Sequence, residues 1–232
     1  ALSAASRVAV TGARLSMTQV ATVGLALGGI GVWSMHFIGM LALQMDVGSS
    51  YSMLETFISL LVAVVAASAS VSFAARAPEN LPRLVGAGFL LGMSVVFMHY
   101  LGMFGLKFDG YIRWDYGVVV LSMVIAVVAA TAALWLTFNT PTLGRRIAAS
   151  LAMGVAVCAM HYTGMSAAEF ICTTENRTAI PQGTGFISAF RLPMLVIAVT
   201  TMLLALLSMD QLFQHLKLRH ATPGGKAARR KK

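Results

Sequence analysis

Met35-His36-Phe37-Ile38-Gly39-Met40, Met98-His99-Tyr100-Leu101-Gly102-Met103 and Met160-His161-Tyr162-Thr163-Gly164-Met165 are three versions of one six-residue pattern, each inside an uncharged apolar stretch. The histidines stand 63 and 62 residues apart. An imidazole is costly in hydrocarbon, so three in register point to a shared site.

The surrounding composition is that of a polytopic membrane protein. Apolar residues make up 58% of the chain and charged residues 11%, and the mean hydropathy is +0.79. A spanning helix needs about 20 mainly apolar residues. Charge-free runs of that order separate Arg14 from Asp46, Glu55 from Arg76, Arg83 from Lys107, Asp115 from Arg145, Arg146 from Glu169, and Arg191 from Asp210. The expectation is an all-α integral membrane bundle with transmembrane helices at 17–43, 57–75, 84–106, 117–138, 147–169 and 192–212.

A net charge of +9 on its own would suit a nucleic-acid binder, but its placement argues for a membrane. Of 17 Lys and Arg, 13 fall at the amino end, on alternate loops and in the tail, while the opposite loops carry six of the eight acids. That bias places both termini in the cytoplasm. No nucleic-acid partner is expected. The first apolar run is too long for a cleaved signal peptide and reads as a mature helix. Cys158 and Cys172, 14 residues apart, would be separated by about 21 Å in a continuous helix, beyond disulfide reach.

The repeat of about 62 residues holds two helices and two loops. Turn-forming residues fill the inner connections, Ala77 to Pro82 and Asn139 to Gly144, whereas the outer segments are longer and less regular. Tyr51, Tyr111, Trp114 and Tyr116 suit an outer aromatic belt. In the second and third units an apolar helix precedes the motif helix, yet in the first only Ala1 to Ser6 precedes Arg7. Residues 1–6 are therefore expected to be the remnant of a truncated first helix, one of seven in the whole protein. Residues 213–232 turn basic and lack apolar periodicity, as expected of a cytoplasmic tail or linker touching anionic headgroups.

With two helices per repeat, the three motif helices run parallel and hold their histidines at one depth, in the outer half of the membrane. Three inward imidazoles make a three-nitrogen metal set from His36, His99 and His161. Met40, Met103 and Met165 follow at i+4 on the same helix face. The glycine at i+3 thins that face for close approach. Met35, Met98 and Met160, at i−1, point toward neighbouring helices. Thioethers bias such a set toward copper, above all Cu(I); zinc accepts three histidines but has little use for methionine. Haem held by two of the histidines is the further alternative. Methionine also fills gaps in apolar cores, so each Met has a plain packing reading beside the ligand one. Tyr100 and Tyr162 are candidate supporting donors. Trp33 and Cys158, each three residues before a motif histidine, are candidate neighbours of the set, with simple burial as the plainer role. Asp46, Asp109 and Glu169 stand where they could draw cations to the mouth.

These residues resemble the MHYT domain, a bacterial integral-membrane sensory module named for its Met-His-Tyr-Thr motif. Met160-His161-Tyr162-Thr163 spells the name, Met98-His99-Tyr100 comes close, and Met35-His36-Phe37 replaces Tyr by Phe. The resemblance covers residues 1 to about 212. It implies a seven-helix sensor domain in the bacterial inner membrane, not itself an enzyme. It further implies copper bound near the outer face, sensing of oxygen, carbon monoxide or nitric oxide, and a cytoplasmic output that makes or degrades cyclic di-GMP. A homodimer is a candidate assembly beside these. A shift in helix packing would pass through residues 210 to 218 to that output. A transporter or copper-handling protein is the rival reading. The inner halves of the helices, rich in Val, Ala and Leu, lack the polar lining a pore requires.

Overall fold

A computed structural model describes residues 17–139 and 142–220. The expected remnant of a first helix and the end of the basic tail lie outside them. Among the described residues there are six helices of spanning length and hydropathy. They are α1 (Met17–Ala42), α2 (Met53–Ala75), α3 (Leu81–Phe104), α4 (Tyr116–Asn139), α5 (Leu143–Ser166) and α6 (Leu192–His220). The expected spans coincide with these helices, with ends displaced by a few residues. The exception is α6, which runs on to His220 where a basic tail was expected from residue 213.

Local chemistry sets the ends. The Asn80 side chain accepts from the Arg83 amide at 3.0 Å, and a proline stands in the first turn of α3, where its missing N–H costs nothing. At the start of α4 the Asp115 carboxylate accepts from the Gly117 and Val118 amides. Inside the spans, where lipid offers no partner, hydroxyls bond back to their own helix: Thr56 to Ser52, Ser59 to Thr56, Ser70 to Ala66 and Thr137 to Ala133.

The motif helices α1, α3 and α5 are neighbours. Between them, α2 packs against both α1 and α3, and α4 packs against both α3 and α5. α6 lies against α1. Helix α1 does not run as one regular spiral. Residues Leu25–Trp33 form a π-helix, α-helical turns lie before and after it, and the last three residues tighten to a 3₁₀ turn. The wide segment includes Gly28, where a Cβ would meet the Ala63 backbone of α2, so the two helices touch main chain to main chain. π-Segments of this kind recur at functional sites. Here one ends three residues before His36.

Five short strands cap the end of the bundle nearest the histidines, where irregular loops were expected. β1 (Ser49–Ser52) pairs antiparallel with β2 (Leu106–Phe108) on one side and β5 (Phe186–Ser188) on the other. β3 (Gly110–Trp114) pairs with β4 (Ala168–Cys172), and Arg113 holds Glu169 across that ladder with an Nε–Oε2 distance of 2.8 Å. The cap corrects one sequence expectation: Tyr51 is buried against Phe37, ring centroids 6.1 Å apart, and is not a belt residue. Burial pushes its phenol up from its ordinary range. Tyr111 and Tyr116 are exposed as expected, and Trp114 packs on Tyr100.

Trp33 is the largest fully buried side chain. Its indole N–H lies 3.1 Å from both the Thr56 carbonyl and Ser59 Oγ, tying the π-segment of α1 to α2. Trp33→Phe removes that donor and some volume. The expected cost is about 2 kcal/mol, read as a fall of roughly 4–8 °C in the apparent Tm of detergent-purified protein. An unchanged Tm would mean the indole does not anchor α1.

Candidate metal centre

Because α1, α3 and α5 are parallel and carry their motifs at one level, the histidines meet. His36, His99 and His161 are all completely buried. Their Nδ1 atoms form a nearly equilateral triangle: 3.1 Å from His36 to His99, 3.3 Å from His36 to His161 and 3.3 Å from His99 to His161. The rings stand almost perpendicular to one another, at 82–89°. A point at the centre lies about 1.9 Å from each nitrogen, and a small displacement from the plane reaches the 2.0–2.1 Å of a metal–imidazole bond.

Hydrogen bonding among the imidazoles cannot satisfy this arrangement. A neutral imidazole carries one N–H, so a ring that donates through Nδ1 cannot accept there. In a triangle of three Nδ1 atoms two are therefore alike, so at least one edge sets lone pair against lone pair or N–H against N–H. A cation at the centre would take all three lone pairs and leave each proton on Nε2. There the sequence pattern closes on itself. His36 Nε2 lies against Gly102, His99 Nε2 against Gly164 and His161 Nε2 against Gly39, so each ring rests on the motif glycine of a neighbouring helix. The Nε2 atoms make no hydrogen bond in this packing. Metal-bound histidines ordinarily donate that proton to a carboxylate, a backbone carbonyl or water. The glycines were read as thinning their own helix face. What they admit is the imidazole of the next helix.

The residue after each histidine packs edge-on against it in all three copies: Phe37 at 4.7 Å, Tyr100 at 4.8 Å and Tyr162 at 5.1 Å between centroids. Surroundings explain the Phe in the first copy. Phe37 is buried and sealed between Trp33 and Tyr51, away from water. The Tyr100 hydroxyl bonds Ser122 Oγ on α4 at 2.8 Å, and because Ser122 donates to the Val119 carbonyl, Tyr100 is the donor of that pair. Tyr162 is 52% exposed.

The remaining sequence candidates divide. Met40, Met98, Met103 and Met160 are buried in one apolar cluster with Trp33 and Phe37, Met165 packs against it, and Met35 is half-buried. Trp33 packs on Phe37, which in turn packs on His36. Among the described residues no thiol or carboxylate joins the triangle; Cys158 is a half-buried free thiol and Asp46, Asp109 and Glu169 stay in the exposed cap. Sequence reasoning missed Ser122. Its signal is legible in hindsight, since Ser59 and Ser122 each follow a motif histidine by 23 residues.

Fold and site together define a polytopic membrane domain built around a buried three-histidine centre. Comparison with known families agrees: the description "Bacterial signalling protein N terminal repeat", MHYT, matches three times, over residues 29–87, 92–150 and 154–221. The chain belongs to the MHYT family of membrane signalling domains. Its relatives include the bifunctional diguanylate cyclase/cyclic di-GMP phosphodiesterase MucR of Pseudomonas aeruginosa, 38% identical over 73% of this chain and 25% of the relative. The cyclic di-GMP phosphodiesterase NbdA of the same species is 34% identical over 62% of this chain and 19% of its own length. The signaling protein YkoW of Bacillus subtilis is 30% identical over 63% and 19%. The chain thus spans a quarter or less of these relatives. No solved structure matches it.

Proposed function

We propose that the domain is a copper-dependent sensor in the bacterial inner membrane, with His36, His99 and His161 as the ligands through Nδ1. The observation that carries this reading is the closed triangle of buried Nδ1 atoms, each ring seated on a neighbouring motif's glycine. Three neutral donors with no carboxylate beside them favour a monovalent ion, because a second uncompensated charge at this depth adds several kcal/mol of desolvation cost. That preference supports Cu(I) over zinc. Met40, Met103 and Met165 stand at i+4 from the three histidines, and their thioethers suit a soft ion. A haem is disfavoured by the spacing: axial nitrogens lie on opposite sides of a macrocycle, and three atoms within 3.3 Å enclose one ion only.

Bound there, copper would supply an electron-rich centre able to take a diatomic ligand such as O₂, CO or NO. The protein's own residues hold the three rings mutually perpendicular, exclude water and join the helices of all three repeats at one point. A change at that point alters the packing of α1, α3 and α5 together, and α6 carries the change toward the cytoplasm. Relatives named for cyclic di-GMP synthesis and breakdown support an output of that kind. The basic loops and tail support a cytoplasmic carboxyl end.

The test is elemental mass spectrometry on the chain purified anaerobically in mild detergent and loaded with Cu(I). About one copper per chain, not displaced by equimolar zinc, is expected. No bound metal after loading would overturn the reading.

A further inference from the structure

One turn from the histidine triangle the bundle does not close completely. A cavity of about 30 Å³ lies there, lined by α1, α3, α4 and α5. Val32, Val95 and Val157 are three of its walls, and each stands four residues before a motif histidine. Four residues are about 6 Å of rise on one helix face, so each valine lies one turn from its imidazole, toward the amino end of the motif helix. Met160, the neighbour of His161, lines the cavity as well. From α4 come alanines alone, Ala126 and Ala129 among them, and their short side chains leave the space unfilled.

The lining decides the occupant. Among the described residues, every side chain that lines the cavity is Leu, Val, Ala or Met, so a water there would lack hydrogen-bond partners. Apolar cavities of this kind stay dry and take up uncharged molecules such as xenon. The volume exceeds the roughly 10–15 Å³ that one water needs and falls far short of the roughly 150 Å³ of a cavity that holds benzene. It therefore suits a diatomic molecule and not a ring. Val157 is half-buried in a helix of spanning hydropathy, which gives an approach from the surrounding hydrocarbon. Apolar solutes concentrate in that phase rather than in water. The three imidazoles themselves are completely buried, so whatever reaches them passes through protein, and on this route an ion would lose its hydration without replacement.

We propose that the cavity walled by Val32, Val95 and Val157 binds one molecule of an uncharged diatomic gas beside the histidine centre. The cavity needs no metal to do so; that the molecule held there is the centre's own ligand rests on the copper reading. The three valines come one from each repeat, on the same faces as the imidazoles, so a molecule between them touches all three motif helices at once.

The experiment uses the metal-free full chain in lipid nanodiscs, with valine methyl groups isotopically labelled and xenon as the apolar probe. Methyl resonances of Val32, Val95 and Val157 are expected to shift with xenon pressure and to saturate together, while those of the exposed Val120 and Val128 drift linearly. Ala129→Leu fills the cavity and should cut the saturable shift by about fivefold or more. Ala132→Leu, on the exposed side of the same helix, should leave it unchanged. Val157→Ala enlarges the space, so Val32 and Val95 should saturate at a different pressure from the unchanged chain, a readout that holds even if Ala129→Leu fails to fold. Linear drift at all five valines, or magnetisation transfer from lipid acyl protons to Val95 showing that a lipid chain fills the cavity, would overturn the proposal. Because the protein carries no copper in this experiment, a failure of Cu(I) loading leaves the xenon result standing, and the reverse holds as well.

Discussion

His99→Ala, purified and loaded with Cu(I) beside the unchanged chain, is expected to retain less than a tenth of the copper. Loss of a residue that merely orients a metal ligand already costs about 10–100-fold in affinity, and His99 is assigned as a ligand itself. Two imidazoles from α1 and α5 remain, but the space left by the third opens the centre to one side. The substitution also truncates a fully buried side chain, at a cost of about 2–5 kcal/mol by analogy with other large-to-alanine changes in cores. His99→Gln separates the two effects, since it keeps most of the volume. It should lose copper nearly as completely while its thermal midpoint stays within a few degrees of the unchanged chain. Met103→Leu preserves shape but removes the thioether. If Met103 only flanks the set, copper binding falls by less than tenfold. Full copper in His99→Gln would sink the three-nitrogen centre; a loss in Met103→Leu as deep as in His99→Gln would make Met103 a ligand.

Much of this site is legible from spacing alone. Three Met-His-x-x-Gly-Met copies 62 and 63 residues apart, with two spans per repeat, leave parallel motif helices as the consistent arrangement. Parallel helices with histidines at one depth bring the imidazoles together, as they do here. What could not be read is interhelical. The glycine at i+3 is visible as a missing side chain, yet which helix fills the space depends on the crossing geometry. The π-segment of α1 has no period that distinguishes it from an ordinary apolar helix. The cap escapes for another reason. Its strands are three to five residues long, and β1 pairs with segments more than 50 and more than 130 residues away. Ser49-Ser50-Tyr51-Ser52 has no alternation of apolar and polar residues to announce a strand. The long end of α6 was obscured by its charges: Lys217 and Arg219 suggested a tail, although Met209, Leu212, Phe213 and Leu216 already kept helical spacing.

Gly102→Ala is the sharpest test of how the triangle is held, because the methyl group it adds lands on a buried ring of the neighbouring helix. A Cβ at residue 102 would collide with Nε2 of His36, and the atoms around it are the rigid ring of a fully buried side chain. The ring cannot swing aside freely, since Phe37 stands against it at 4.7 Å between centroids and His99 and His161 hold its other side. The alternative is for α1 and α3 to part, which breaks the packing around Met98 and Met103. Either response moves Nδ1 of His36 off the common centre. Copper affinity is therefore expected to fall by about 10–100-fold, on the scale of supporting-residue losses, although all three histidines are still present. Alanine is a better helix former than glycine by about 1 kcal/mol, so α3 itself loses nothing by the change. Gly86→Ala is the matched control on the same helix, where an added Cβ meets only the Phe73 ring at an ordinary 3.7 Å. It should bind copper as the unchanged chain does. The same loss is expected for Gly39→Ala and Gly164→Ala, whose added Cβ atoms would lie 2.5 Å from Nε2 of His161 and His99. Three equivalent losses from substitutions on three different helices would show that each repeat supplies one ligand and the seat for another. Retention of copper by Gly102→Ala would mean the imidazole has freedom this packing denies it.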